Sequence, residues 1–363
     1  MRILLVRLRL VGDVVFTTPL VAALRRRFPD AHLAYLVEPL AAGIVVANPH
    51  LNDVIVASAP DAPGRVRRDL ALVRRLRAER YDVAVDLHGG SRAALFTRGC
   101  GAPRRLGYAM AGRAWMYTDR VPRPRGLTAR HAVRNQWDLI APLGLPPPDP
   151  ARDPVEIPET ADAAARVEAR LRALGVDATH TLAVMHVSAG NPFRRWPAEA
   201  FTAVAARLAG PHDRRVVVIS GPSDTPAAAR IAADAAARLG ADGAGRVIAA
   251  AFDVAEIRAL AGRASVYIGG DSGPLHIVSA TTTPVVALFG PTLAGRSTPW
   301  RDPRWHTETL DGGPLPCRPC HQRVCAPGDF RCLTNIGVDA VAEAAERALA
   351  ARTSPAPAGS THT

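Results

Sequence analysis

Two segments constrain the fold of this chain more than anything else in it. One is RILLVRLRLVGDVVFTTP, residues 2–19. The other lies far along the chain: VYIGGDSGPLHIVSATTTPVVALFGPT, residues 266–292. Each reads as an apolar strand that ends in a Gly-containing turn and runs into a helix. That element presents backbone N–H groups and the positive end of a helix to an anion. One in each half predicts an α/β fold of two nucleotide-binding-type domains facing a shared cleft. The first half offers the carboxylate of Asp13, just after Gly12. The second offers a phosphate-sized nest at Asp271, Ser272 and Gly273.

At 363 residues the chain is long for one core, which also favours two domains. Apolar residues make up 48% and charged residues 21%, as expected for a globular protein. The formal net charge of +12 is unusual, and all 45 basic residues are arginine. With no lysine, Schiff-base chemistry and a P-loop lysine are excluded. Phosphate contacts fall to Arg, backbone N–H groups and hydroxyls, and Arg suits bidentate phosphate binding.

The arginines cluster at 25–27, 65–80 and 120–134 without interleaved aromatics, which are 5% of the chain, so nucleic acid is not the expected partner. An acidic glycolipid or an anionic membrane surface fits the charge better. Met1 leads directly into the first strand, so no signal peptide is expected. No stretch reaches the ~18–20 uninterrupted apolar residues of a membrane span. A cytoplasmic protein with peripheral contact on the inner membrane is expected.

In the first half, strands are predicted at 2–8, 32–37, 53–56 and 82–86, and helices at 13–28, 40–46, 65–80 and 131–143. Pro19 falls inside the first helix and predicts a kink or a first turn there. The Pro-rich stretch 146–159 reads as a linker between domains at 1–145 and 160–352. Strands then recur at 182–187, 215–219, 246–248, 266–268 and 285–289, and a helix at 338–350 closes the fold. The tail 353–363, TSPAPAGSTHT, has a disordered composition.

Four strand ends in the second half carry small or polar turns: HVSAGN with Ser188, SGPSD with Gly221, GGDSGPLH, and FGPT. Ligands of parallel sheets bind outside the carboxyl ends of the strands, so four such turns together predict a nucleotide site. In GGDSGPLH, Gly270 allows close backbone approach, Asp271 or Ser272 caps the next helix, and Gly273 and Pro274 form its first turn. A pyrophosphate would use the same orphan N–H groups. His276, one turn further in, suits a structural role or a ligand contact equally. Asp13 is either a helix cap or a general base at a cleft mouth. Arg194 and Arg195, in NPFRRWP, are either a solvated pair or guanidiniums placed to meet a leaving diphosphate.

Cys317, Cys320, Cys325 and Cys332 form C-x2-C-x4-C-x6-C, leaving only Cys100 elsewhere. In a cytoplasmic protein this grouping suits a structural zinc or iron clip. The spacing is not that of a standard zinc finger, so reduced thiols or a labile disulfide stay open.

With those residues in hand, the chain resembles glycosyltransferase family 9, the ADP-heptose:lipopolysaccharide heptosyltransferases. The resemblance runs from RILLVRLRLVGDVVFTTPLVAALRRRFP to the end of the cysteine loop. It includes AVDLHGGSRAALFTRGCGAPRRLGY, the RRWP element, GGDSGPLHIVSA and the LFGPT turn. It implies a GT-B architecture of two Rossmann-like domains, the N-terminal one for the acceptor and the C-terminal one for the nucleotide sugar. It also implies inverting transfer without a catalytic metal.

By position, Asp13 matches the base that deprotonates the acceptor hydroxyl. Arg194 falls where the family commonly has Lys or Arg before Trp-Pro, near the leaving diphosphate. Asp271, Ser272, Gly273 and His276 match the nucleotide-sugar motif, with Ser188, Arg195, Gly221, Gly270 and Pro274 expected around it. Gly12, His88 and Arg92 are expected on the acceptor side. The cysteine loop resembles the iron-binding finger of autotransporter heptosyltransferases, with no match of spacing implied. The implied partners are an ADP-sugar and an anionic lipid A–Kdo-type core.

Rival readings keep the fold and change the use. The same enzyme could take another nucleotide sugar, or an O-antigen or protein acceptor. A non-catalytic nucleotide-sugar-binding protein would not be expected to keep both Asp13 and Arg194. An NAD(P) oxidoreductase is disfavoured because the first turn, LRLVGD, lacks G-x-G-x-x-G.

Overall fold

The computed structural model describes residues 1–124 and 126–353. Two compact units divide the chain, Met1–Glu159 and Thr160–Thr363. Each is built on a six-stranded, wholly parallel sheet.

The first sheet contains β1 (Arg2–Val6), β2 (His32–Val37), β3 (Asp53–Val56), β4 (Val83–Asp86), β5 (Arg104–Tyr108) and β6 (Asp119–Val121), in the order β3-β2-β1-β4-β5-β6. The second contains β7 (Thr181–His186), β8 (Arg214–Ile219), β9 (Val247–Ala250), β10 (Val266–Gly270), β11 (Val285–Phe289) and β12 (Thr307–Asp311), in the order β12-β11-β10-β7-β8-β9. The two orders are the same doubly wound topology. In each, the direction of winding reverses between the first and fourth strands, and ligands of such sheets sit at that reversal.

The strands are apolar on both faces because crossover helices cover both sides of a parallel sheet. In the second unit the period-2 alternation is plain. Met185, Val216, Val218, Ile268 and Val286 pack into one buried cluster, and Val184, Val217, Ile219, Tyr267 and Val285 into another. In the first unit Leu4, Val6, Ala34, Leu36 and Ala84 share one face. Register brings the site-bearing ends level: Val6 is opposite Asp86, and Gly269 is opposite His186.

Several expectations are corrected. The helix expected over 13–28 is two, Val11–Val15 and Thr18–Arg27. Pro19 lies in the first turn of the second, where its missing N–H costs nothing. Thr17 forms the break, bonding the Val14 carbonyl at 2.6 Å and the Tyr35 hydroxyl at 2.6 Å. Strands β5, β6 and β12 were not foreseen, because RRLGY, DRV and TETLD hold no continuous apolar run.

The Pro-rich stretch 146–159 is packed within the first unit. Val155 and Ile157 are buried, Trp137 Nε1 donates to Pro146 O at 2.8 Å, and buried Asp153 pairs with Arg26 and Arg152. Proline content set its extended backbone but did not keep its alternating side chains off the core. Thr353 ends the last helix, Val338–Thr353, and the rest of the expected tail lies outside the described residues.

Candidate active site

The reversal point of the first sheet gathers the ends of β1 and β4. Arg7 follows β1, is almost fully buried, and donates through Nη1 to Leu87 O at 2.5 Å. Its Nη2 pairs with Asp13 Oδ2. Asp13 is not a cap; it is the third residue of the helix Val11–Val15, whose N-cap is Leu10 at φ 70°. A non-glycine residue at such a φ is strained, and strain of this kind concentrates at functional turns. One carboxylate oxygen of Asp13 is held by Arg7, and among the described residues Oδ1 accepts no hydrogen bond.

Asp86, at the end of β4, is fully buried and accepts the backbone N–H groups of His88 (2.9 Å) and Gly89 (2.8 Å) and the Tyr117 hydroxyl (2.6 Å). These bonds hold the LHGG turn, so His88 comes to the same strand ends as Arg7 and Asp13. Burial first, and then the charges of Arg7 and Arg9, push the His88 imidazole down to about 4, against an opposing pull from Asp13. It is neutral at pH 7. Its Nδ1 is buried with no hydrogen-bond partner among the described residues. Arg92 has each of its guanidinium nitrogens on a partner, Asp69, Glu38 or the Ser58 carbonyl, and so braces the first unit. Gly12 lies within the Val11–Val15 helix.

The reversal point of the second sheet gathers the ends of β7 and β10, with the turn after β8 beside them. His186 is buried, and its Nε2 meets Ser188 Oγ and its Nδ1 meets Ser272 Oγ, both at 3.2 Å. Ser188 Oγ accepts the Gly221 N–H at 2.8 Å. One neutral imidazole therefore links three strand-end turns. Burial alone pushes its pKa down to about 4.

Asp271 is the charged centre of this unit. It is 3% exposed and accepts Ser297 Oγ at 2.9 Å, with His276 Nε2 at 3.5 Å. Arg194 Nη1 lies 3.0 Å from Oδ2. Burial pushes the carboxyl up, but the His276 hydrogen bond, the charges of Arg194 and His276, and Ser297 together hold it at about 2. Neither Asp271 nor Ser272 caps the helix Gly273–Val278 through its side chain, contrary to expectation. Both are engaged elsewhere, which leaves the first-turn amides of Gly273 and Leu275 without a side-chain cap; Pro274 has no N–H to offer.

Gly270 matters for its missing Cβ, which would stand 3.2 Å from the Arg194 carbonyl oxygen. Arg195 is turned away from this cluster, pairing with Asp224 at 3.1 Å and donating to Ala189 O at 3.1 Å. It joins the β7 and β8 turns, and among the described residues its Nη1 has no hydrogen-bond or ion-pair partner. Arg194 also has a nitrogen left over: among the described residues its Nη2 has no hydrogen-bond or ion-pair partner, and its side chain is 33% exposed.

The four loop cysteines are free thiols lining one cavity of about 60 Å³ with Phe193 and Phe330. Burial, then the nearby Cys320, Cys317 and Cys325, push the Cys332 thiol up. Among the described residues no group of three or more His, Cys, Asp or Glu side chains is arranged to hold a metal ion. No chemistry is assigned through a metal here.

Sequence reasoning missed Arg7, Asp86, His186 and Ser297 in these clusters, and Gln322, whose Oε1 accepts Arg194 Nε at 2.7 Å. Arg7, Asp86 and His186 left a signal, each a polar residue closing an apolar strand. Ser297 and Gln322 left none, since their partners are distant in sequence.

Two doubly wound sheets in two units, with polar clusters at their reversal points, define a pair of Rossmann-like domains of the GT-B type. A profile of glycosyltransferase family 9 (heptosyltransferase) matches residues 69–328, and the chain belongs to that family. It is 28% identical over 298 residues to lipopolysaccharide heptosyltransferase 3 of Escherichia coli (strain K12), covering 80% of this chain and 83% of that protein. The fold is similar to a glycosyl transferase family 9 structure from Veillonella parvula, with a TM-score of 0.82 and 22% identity over 96% of this chain and 97% of that one. It is also similar to the E. coli ADP-heptose heptosyltransferase II structure, with a TM-score of 0.77 and 20% identity over 96% and 99%. The protein is therefore a glycosyltransferase of the heptosyltransferase family.

The low pKa of His186 fixes a pH response. Above its ordinary value of 6.5 the imidazole is neutral in folded and unfolded chains alike. Between 6.5 and about 4 only the unfolded chain takes up the proton, so stability falls as pH falls, by roughly 3 kcal/mol in total. Imidazole NMR titration should find a His186 midpoint near 4. A midpoint at or above 6.5 would mean that the three-turn network is wet and charged.

Proposed function

We propose that this glycosyltransferase moves a heptose from ADP-heptose to an anionic sugar of the lipopolysaccharide inner core, with inversion. The observation that carries the reading is Arg194, anchored beside buried Asp271 with one guanidinium nitrogen left over at the carboxyl end of a parallel sheet. Such a cation, with uncapped amides of the neighbouring helix, suits a diphosphate whose charge grows as it leaves. The named relatives support the donor: one is described as an ADP-heptose enzyme, and another acts on lipopolysaccharide.

In this reading the unit Met1–Glu159 takes the acceptor and the unit Thr160–Thr363 takes the donor. Asp13 removes the proton of the acceptor hydroxyl as its oxygen attacks the anomeric carbon. The bond to the β-phosphate oxygen breaks on the opposite face, and ADP departs with that electron pair. Arg7 holds Asp13 by one oxygen and leaves the other for the proton. Arg194 and the amides near Gly273 take up the charge, so the step needs no catalytic metal.

Asp13→Ala should lower transfer by about 100-fold or more, the usual worth of a general base, with ADP affinity unchanged. Near-normal turnover would defeat the assignment. Calorimetry on the same protein should favour ADP over UDP, GDP and CDP; preference for another nucleotide would keep the mechanism and overturn the heptose donor.

The membrane contact belongs to the same reading. The helix Arg65–Ala78 buries only Leu76, while Val66 and Leu70 are 65% and 56% exposed. Arg67, Arg74 and Arg77 share their face at helical spacing. Apolar side chains among arginines suit the surface of an anionic leaflet, at about 1 kcal/mol per arginine. No helix among the described residues is long and apolar enough to cross a membrane. Sedimentation with phosphatidylglycerol vesicles should capture the protein and phosphatidylcholine vesicles should not, and Val66→Ser with Leu70→Ser should weaken capture several-fold. Equal capture by both lipids would remove this surface from the reading.

A further inference from the structure

The guanidinium of Arg194 has two protein anchors of unequal quality. The Asp271 pair is close, but Oδ2 has no aligned hydrogen bond, and the same Nη1 donates only weakly to Asp271 O at 3.5 Å. The short, aligned bond is on the other edge, where Nε donates to Gln322 Oε1 at 2.7 Å. Gln322 Oε1 also accepts Asn191 Nδ2 at 3.0 Å, and its Nε2 donates to Thr292 Oγ1 at 3.2 Å. Arg194 has no acceptor atom, so the amide oxygen must face it.

Gln322 reaches Arg194 from 128 positions away, within the loop between Cys320 and Cys325. Its φ is 56°, which a glycine tolerates and a glutamine does not favour. The loop is docked on the turn after β11. Arg318 donates to Thr292 O at 3.1 Å and pairs with Asp311 at 3.0 Å, and Cys320 N–H donates to Pro291 O at 3.3 Å. One residue with a strained backbone thus ties the turn after β7 to the turn after β11.

We propose that Gln322 is a positioning residue: it sets the plane of the Arg194 guanidinium so that Nη2 faces the leaving diphosphate. The inference rests on the leaving-group role given to Arg194 above. A neutral amide suits the task. It holds the guanidinium by Nε without cancelling its charge, whereas a carboxylate there would compete with the phosphate. Without Gln322 the guanidinium is free to rotate into an aligned pair with Asp271, which withdraws it from the donor. The cysteine loop then has a use that needs no metal: it carries Gln322.

The test is steady-state transfer by the full chain. Gln322→Met keeps the length and removes the hydrogen bonds, and Gln322→Gly removes the side chain while suiting φ 56°. Both should lower kcat about 10-fold or more, the worth of a charge-assisted hydrogen bond, with donor KM changed far less and the melting temperature kept. In an Arg194→Ala background neither should have a further effect. Normal turnover in both Gln322 variants, with Arg194→Ala impaired, overturns the positioning role and leaves the leaving-group reading intact. Independent, multiplicative losses in the double variants overturn it as well. Normal turnover of Arg194→Ala defeats the leaving-group reading itself and this inference with it.

Discussion

A parallel strand cannot pair with its chain neighbour through a tight turn; the chain must cross over first, and the crossover is right-handed. When a sheet grows outward in both directions from its first strand, the crossovers on the two sides cover opposite faces. They leave a gap at the carboxyl end where the direction reverses. Both units obey this constraint, and the clusters described above follow from it. Arg7, Asp13 and His88 meet at β1 and β4 because those strands are neighbours across the reversal. His186, Ser188 and Ser272 meet at β7 and β10 for the same reason.

What fills each gap is electrostatic. Arginine must do all the cationic work in a chain without lysine, and its planar fork lets one residue be anchored on one edge and available on another. Arg92 places all three guanidinium nitrogens on partners, whereas Arg194 and Arg195 each engage Nε and one terminal nitrogen and leave the other. The difference is not in residue type but in how many partners surround each fork. Asp271 completes the contrast: burial would neutralise it, yet its partners keep it ionised, so the positive end near Arg194 is set against a fixed negative charge.

Much of this can be read along the chain. The doubly wound class, the two-part organisation, Asp13, and the turns at Ser188, Gly221 and Asp271 all follow an apolar run, and that signal is local. The strands β5, β6 and β12 escaped because pairing, not apolar content, makes them strands. The stretch 146–159 looked like free linker because proline hides the alternation of Val155 and Ile157. The partners of Arg92, Asp69 and Glu38, lie 23 and 54 residues away and leave no local signal.

The sequence by itself determined which segments become buried parallel strands and which residue types stand at their carboxyl ends, because apolar periodicity and turn chemistry act over a few residues. Only the tertiary structure decided which of those residues are free to act. Availability is a matter of partners, and the partners that engage Arg92, align Arg194 through Gln322 and keep Asp271 charged arrive from distant parts of the chain.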